Sequence, residues 1–225
     1  VDPVNNLGPT TVDAVISHPV FPLDGTLDEF RIYNHARTAT EVAADAGGAN
    51  SGIAPLVYYD FADGTPTNLG SLGATADGVL GGGLSGPALA FDGTDDFIQA
   101  DTTGINFASG FSVEFTLQTT DTAAYLVGVG NSLSANQLMF LNIGDNALSG
   151  GIRAALVGGA YIDSSIAVND GQPHHIAYTF DGVDTYKLYI DGVSQGSTSG
   201  SAPALSSADL FIGQHFQGTV QLDGV

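Results

Sequence analysis

Cysteine and tryptophan are absent from this chain of 225 residues, and the basic side chains are one lysine and three arginines. Without cysteine the protein can form neither disulfides nor thiolate metal sites, so its fold depends on a hydrophobic core. The lack of tryptophan disfavours a strong lectin, since aromatic faces commonly bind sugar rings. No stretch approaches the ~20 apolar residues of a membrane span, and residues 1–20 show no signal-peptide pattern. The sequence therefore predicts no membrane insertion.

Acidic side chains dominate the charge, because 24 aspartates and glutamates face four basic residues and leave a net charge of −20. Such a charge repels phosphate backbones and anionic membrane surfaces and attracts cations such as calcium. Nucleic acid is therefore excluded as a partner. Aspartate is also a turn residue, because its side chain caps its own backbone.

Short strand-like runs separated by turn signals recur along the chain, and the 31 glycines disfavour long helices. In the run Phe111 to Thr119, apolar residues alternate with Ser112, Glu114, Thr116 and Gln118, which predicts a strand with one buried and one wet face. The pairs Asp181-Gly182 and Asp191-Gly192 follow two such runs and are typical of tight reversals. The predicted class is all-β.

One helix is expected in this all-β chain. Thr38 and Glu41 have the spacing of a capping box, in which the two side chains bond to exposed backbone donors of the first turn. This spacing predicts a short helix from about Ala39 to Asp45, ended by Gly47-Gly48. The small residues from Gly47 to Pro55 then indicate a linker or boundary.

Three motifs carry a resemblance to a known family. Residues 170–193 contain Asp-Gly, a His-His pair, an alternating strand and Leu-Tyr-Ile-Asp-Gly; residues 89–97 read LAFDGTDDF, and residues 27–34 read LDEFRIYN. Together they resemble the laminin-G-like jelly rolls, which are concanavalin-A-like lectin/glucanase domains. The resemblance implies a jelly-roll β-sandwich of two antiparallel sheets. Pro173 departs from the pattern, because relatives usually carry tryptophan at this place.

The order of the motifs is unusual, because the closing motif at 27–34 precedes the opening strand at Leu56 to Phe61. Residues 210–225 also resemble residues 14–30. A tandem repeat explains both features: residues 1–50 would close a preceding module, and residues 51–225 would form the next module without its last strand. A circular permutation is the rival explanation. Either way an unfilled sheet position is predicted, where another chain could pair.

Catalytic signatures are missing from the sequence. Glycoside hydrolases of this fold carry paired carboxylates on one strand, whereas Glu114 has no acidic neighbour on its strand face and is expected to be a solvated strand residue. His174 and His175 are adjacent in a predicted strand, so they point to opposite faces and cannot bind one metal together. No zinc motif, nucleophile elbow or phosphate loop is present. The prediction is a protein that is not an enzyme.

Calcium is the one expected cofactor. The family resemblance implies a structural Ca²⁺ where the first and last strands meet, with Asp60 or Asp63 near Gly64 and with Asp223, for which Asp28 is the counterpart in the preceding copy. Ordinary turn-forming aspartates are the alternative. A rim site with Asn131 and Asn136 is a second possibility.

The sequence leaves the ligand open. Tyr125, Tyr161 and Phe216 are candidate contacts for a ligand because they lie near predicted loops, although packing explains each of them equally well. The expected function is an extracellular, cell-surface or virion-surface recognition or adhesion module for a glycan or protein. The alternative is a structural building block of a filament, coat or virion decoration that self-assembles by strand pairing, and a glycoside hydrolase is a third, weaker alternative.

Overall fold

A computed structural model describes residues 22–49, 52–82, 84, 90–130, 138–156, 159, 161–205 and 209–213. Within these residues the chain forms two antiparallel sheets, here called sheet A and sheet B, and one α-helix. The helix in this described part is too short to cross a membrane. The all-β jelly-roll sandwich predicted from the sequence is therefore confirmed.

The strands of sheet A are β1 (Asp24–Tyr33), β2 (Val57–Tyr59), β4 (Ala90–Asp92), β6 (Phe111–Thr119), β11 (His174–Phe180), β12 (Thr185–Ile190) and β13 (Val193–Ser199). They follow the order β13-β12-β11-β6-β1-β2, and β4 pairs with one end of β1. The strands of sheet B are β3 (Val79–Gly81), β5 (Phe97–Asp101), β7 (Ala124–Gly130), β8 (Leu138–Ile143), β9 (Gly151–Leu156), β10 (Tyr161–Ala167) and β14 (Asp209–Ile212). They follow the order β10-β9-β8-β7-β14-β5-β3.

Strand β1 occupies the sheet position that was expected to be unfilled. It pairs antiparallel with β2 through Phe30 and Tyr59 and with β6 through Leu27 and Leu117. The segment that matches the closing motif thus completes the same sheet as the opening strand, and the expectation of a vacant position is not met here. The origin of residues 1–50 in a preceding copy stays a prediction.

A bulge in β1 keeps the apolar side chains of this strand on the core side. Leu27 and Phe30 are three positions apart, which in a regular strand would place them on opposite faces. The register shifts between Asp28 and Arg31, and Glu29 takes a left-handed φ of 54°, so both side chains are fully buried. Phe30 then stacks on Tyr59 at a ring distance of 5.8 Å, within a core that residues of both sheets share.

Helix α1 (Ala39–Ala46) lies on the outer face of sheet A. Its predicted capping box is confirmed: the Thr38 hydroxyl accepts from the Glu41 backbone N–H at 3.3 Å, and the Glu41 carboxylate accepts from the Thr38 N–H at 2.7 Å. Val42 packs with Ala177 and Tyr189, which face away from the main core. The helix therefore shields one patch of the sheet from water.

Candidate functional site

Asp28 and Asp60 lie at the rim where β1 and β2 pair, near enough for the charge of Asp60 to act on Asp28. Asp28 lies in the bulge of β1, and Asp60 directly follows β2, next to Phe61 with its left-handed φ of 48°. Partial burial raises the pKa of Asp28, and the negative charges of Glu29 and Asp60 add to that increase. The rim thus concentrates carboxylates in a place that partly excludes water. A bound cation there would offset both the cost of burying the charge of Asp28 and the repulsion from its acidic neighbours.

Asp63, like Asp60, whose carboxylate accepts from the Ala62 backbone N–H at 3.1 Å, caps a turn. Its carboxylate accepts hydrogen bonds from the Thr65 backbone N–H at 3.0 Å and from the Thr65 hydroxyl at 2.6 Å. These bonds lower the pKa of Asp63, and the next residue, Gly64, has a φ of 75°. Asp63 therefore stabilises a turn of its own, whereas Asp223, the remaining predicted ligand, lies outside the described residues.

The donor chemistry at the Asp28–Asp60 rim fits calcium. Ca²⁺ takes hard oxygen ligands from carboxylates and backbone carbonyls in flexible geometry. Glu29, the third carboxylate of the rim, already pairs with Arg31 and accepts from the Tyr58 hydroxyl at 3.0 Å. Asp28 and Asp60 are thus the residues that would hold the ion, which would join the edges of two neighbouring strands.

A second group of carboxylates, formed by Asp92, Asp95 and Asp96, sits at the turn between β4 and β5, with ligand atoms within 4.8 Å of one another. Asp96 accepts from the Asp92 backbone N–H at 2.9 Å, and Asp92 accepts from the Thr94 N–H at 2.8 Å. These bonds are those of a tight turn.

The outer face of sheet B presents an exposed aromatic ring. Tyr161, at the start of β10, is 53% exposed, and the guanidinium carbon of Arg153 lies 4.1 Å from the centre of its ring. Arg153 donates from Nε and Nη2 to the two carboxylate oxygens of Asp163 at 2.8 and 2.9 Å. These three residues, here called the Tyr161 triad, place an exposed ring beside a bidentate charged pair.

The other predicted ligand contacts do not join the Tyr161 triad. Tyr125 is only 4% exposed and packs edge-to-face with Phe140 at 6.3 Å, so it offers no open ring face. Asn131, Asn136 and Phe216 lie outside the described residues. Sequence reasoning named Tyr161 but missed its partners. Glycine at 158 and 159 between two alternating runs would have indicated the hairpin that aligns Arg153 with Asp163.

Glu114 is not the solvated strand residue that its alternating pattern predicted. Its side chain is fully buried, 3.5 Å from Arg37 Nε and 3.3 Å from His175 Nε2. Arg37 also pairs with Asp45 of α1. The prediction was wrong because α1 and the segment leading into it cover the face of β6 that would otherwise be wet.

The two adjacent histidines have separate partners. His174 contacts Asp191 at 2.8 Å and Asp170 at 3.1 Å, whereas His175 faces Glu114. Each imidazole therefore belongs to a different local network, and the pair does not form a shared metal site.

The two antiparallel sheets that share one core define a β-sandwich module. The model of the Laminin_G_3 family, described as the concanavalin A-like lectin/glucanases superfamily, matches residues 92–225, more than half of the chain. The chain belongs to this family, which confirms the resemblance seen in the sequence. No curated protein matches it.

Solved structures share the fold at low sequence identity. One is domain 4 of AbnA, a GH43 extracellular arabinanase from Geobacillus stearothermophilus, solved in complex with arabinotriose. It has a TM-score of 0.54 and 17% sequence identity, and the match covers 71% of this chain and 82% of the AbnA domain. The receptor binding domain of botulinum neurotoxin C/D mosaic serotype has a TM-score of 0.50 and 14% sequence identity. The match covers 66% of this chain and 40% of the neurotoxin chain. Mouse laminin alpha1 domains LG4-5 have a TM-score of 0.45 and 13% identity over 56% of this chain, which spans about a third (34%) of that structure.

Proposed function

We propose that this protein is a non-catalytic recognition module of an extracellular or surface-exposed protein, with a glycan as its favoured ligand and a protein as the alternative. The observation that carries this proposal is the Tyr161 triad, because exposed aromatic rings beside charged hydrogen-bonding groups are typical of carbohydrate sites. Two similar folds support it: one was solved with arabinotriose, and the other is a receptor-binding domain.

The surroundings of Glu114 support the non-catalytic part of the proposal. Retaining and inverting glycosidases need two carboxyl groups that flank the scissile bond. Glu114 is enclosed by Arg37 and His175 beneath α1, so a sugar cannot reach its carboxylate without removal of the helix. The side chain is better suited to holding α1 on the sheet than to proton transfer.

A glycan array combined with a hydrolysis assay tests this function. We expect saturable retention of at least one glycan by the purified protein and no release of reducing sugar from that glycan. Turnover that is abolished by Glu114→Gln would show an enzyme. A blank array would contradict glycan recognition and leave a protein ligand as the alternative.

Calcium at the Asp28–Asp60 rim is a further part of the proposal. The raised pKa of Asp28 beside Asp60 supports it, since a bound cation would offset the repulsion between the two carboxylates. We expect CaCl₂ to raise the melting temperature relative to EGTA and Asp28→Asn to remove that increase. Asp63→Asn is the matched comparison, because the Asp63 carboxylate accepts a hydrogen bond from the Thr65 backbone N–H. Removing the charge of Asp63 should leave the increase in melting temperature with calcium in place. An unchanged response in Asp28→Asn would contradict this assignment.

A further inference from the structure

We propose that the Tyr161 triad is a subsite for an uncharged sugar ring, which stacks on Tyr161 and hydrogen-bonds to Arg153 and Asp163. This inference rests on the proposed glycan recognition and names the place and the chemical class of the ligand. Its support comes from four properties of the triad: the orientation of the ring, the space beside it, the polar groups at its edge and the surrounding charge.

The Tyr161 ring is held in place and still open to solvent. The Arg153 guanidinium stacks 4.1 Å from the ring centre, and the residue remains 53% exposed. Because the guanidinium covers one face, the opposite face is the one available to a ligand. A ring fixed in this way loses little side-chain entropy when it binds, which favours affinity.

Small side chains leave room beside the ring. The register places Ala155 of β9 opposite Tyr161, Phe140 of β8 opposite Ala155, and Gly128 of β7 opposite Phe140. Since directly opposed residues share a face of the sheet, all of them lie on the outer face with Tyr161. Ala155 offers only a methyl group, so among the outer-face side chains of β9 Arg153 is the one large group beside the ring.

Arg153 and Asp163 supply directed polar groups at the same place. Their side chains are 23% and 29% exposed, so each keeps contact with solvent while the bidentate pair fixes its orientation. Two bonds to Asp163 use Nε and Nη2 of Arg153, and Nη1 has no hydrogen bond to the part of the chain that the structure describes. Neighbouring sugar hydroxyls can therefore accept from Arg153 and donate to Asp163, and bonds to charged groups are the stronger kind.

The surrounding charge selects against anionic sugars. Asp163 neutralises Arg153: its hydrogen bond to the guanidinium raises the pKa of Arg153, and the charges of Asp163 and Asp145 add to that increase. The whole chain carries a net charge of −20. A sulfate or uronate group would thus meet no surplus positive charge at the triad and a repulsive field around it. The subsite fits an uncharged ring.

Calorimetric titration of the intact protein with arabinotriose, cellotriose, maltotriose and, as the anionic comparison, trigalacturonic acid tests the subsite. We expect at least one uncharged trisaccharide to bind, with Tyr161→Ala weakening its affinity more than tenfold and Tyr161→Phe changing it less than twofold. Val79→Ala is the matched control, because register places Val79 in the same row on the outer face, far from Tyr161, and it is 45% exposed. Unchanged melting temperatures would show that the variants fold.

The outcomes separate the subsite from the general function. Affinity in Tyr161→Ala within twofold of the unmodified protein would overturn the subsite and leave glycan recognition standing elsewhere on the module. Tighter binding of trigalacturonic acid than of every uncharged trisaccharide would overturn the assignment of ligand class. If no sugar of the array or of this panel binds the unmodified protein, the subsite and the proposed glycan recognition fail together.

Discussion

Arg31 and Arg37 both pair with carboxylates, but only Arg37 is removed from water. The Arg37 side chain is 0% exposed between Asp45 and Glu114, whereas Arg31 keeps 21% exposure beside Glu29. A buried charge is costly without its partner, while an exposed ion pair contributes little. The two arginines therefore offer a matched comparison of the same interaction in two surroundings.

Replacing Arg37 with alanine should strongly destabilise the protein. The change leaves Glu114 and Asp45 without their shared cation, and we expect the free energy of unfolding to fall by about 3–5 kcal/mol. Arg31→Ala should cost about 1 kcal/mol or less. Urea unfolding at neutral pH measures both. Equal losses in the two variants would show that the buried cluster does not hold α1 on the sheet.

His174 should give the protein a small dependence of stability on pH. Burial tends to lower its pKa, but hydrogen bonds and charges from Asp191 and Asp170 outweigh that effect and raise it above the ordinary value of 6.5. A raised folded-state pKa means that the stabilisation is present below pH ~6.5 and is lost as the pH rises through the folded-state value. The aspartates are exposed, so we expect less than about 1 kcal/mol.

NMR titration of the imidazole protons measures this pKa directly. Asp191→Asn should lower the pKa of His174, because it removes the neutralising charge at 2.8 Å. A His174 pKa that stays unchanged in Asp191→Asn would contradict the interpretation.

At the scale of single elements, the cap of α1 decides how well the short helix forms. The helix spans Ala39–Ala46, a length that is marginal without tertiary contacts and a good first turn. Hydrogen bonds from Thr38 lower the pKa of Glu41, which shows that the carboxylate takes part in the cap. The capping box therefore links the sequence motif directly to the cover over sheet A.

Thr38→Ala should cost about 1 kcal/mol of stability, because the helix loses one side-chain acceptor at its first turn. Thr40→Ala is the control: Thr40 is exposed inside the helix, where alanine is a better helix former. Thermal unfolding of the two variants measures the difference. If Thr40→Ala lowers the melting temperature as much as Thr38→Ala, the cap is not the cause.

Strands whose apolar residues alternate between turn signals could be predicted from the sequence. Strands that form only because their backbone pairs with a neighbouring strand could not. The run at β6 has alternating apolar residues, and its observed bounds, Phe111–Thr119, match the prediction. Strand β13 reads VSQGSTS, without apolar alternation, and it exists because its backbone pairs with β12 at the edge of sheet A. Strand β3 is a three-residue edge strand that pairs with β5 for the same reason.

At the scale of the whole molecule, the position of β1 decides between a closed module and one assembled by strand exchange. The chain has no native cysteine, so a disulfide between Thr26→Cys and Gln118→Cys reports the β1–β6 pairing alone. We expect an intrachain bond and a monomeric band on a non-reducing gel. The control pair is Thr185→Cys with Ser199→Cys, which lie opposite each other in the β12–β13 hairpin. Covalent dimers from the first pair alone would favour the assembly alternative.

The candidate site was only partly visible in the sequence, because long-range pairing creates it. The family resemblance joined Asp60 or Asp63 to Asp223 and gave Asp28 as the counterpart of Asp223 in a preceding copy. The approach of Asp28 to Asp60 was not predicted, because it follows from the pairing of β1 with β2. The burial of Glu114 was not predictable, because it depends on where α1 lies after the chain has folded. The Tyr161 triad similarly depends on the register between β9 and β10, which no single residue specifies.

The place of β1 in sheet A also sets the order in which the protein can fold during synthesis. Residues 24–33 are made before β6 at 111–119, which is their longest pairing partner and which in turn pairs with β11 at 174–180. Leu27, Phe30 and Ile32 therefore lack these partners until β6 and β11 have been made, and such distant pairings fold slowly. A nascent chain stalled before β6 would expose these apolar side chains and be prone to aggregation. Binding of chaperones to the nascent chain should fall once β11 has left the ribosome.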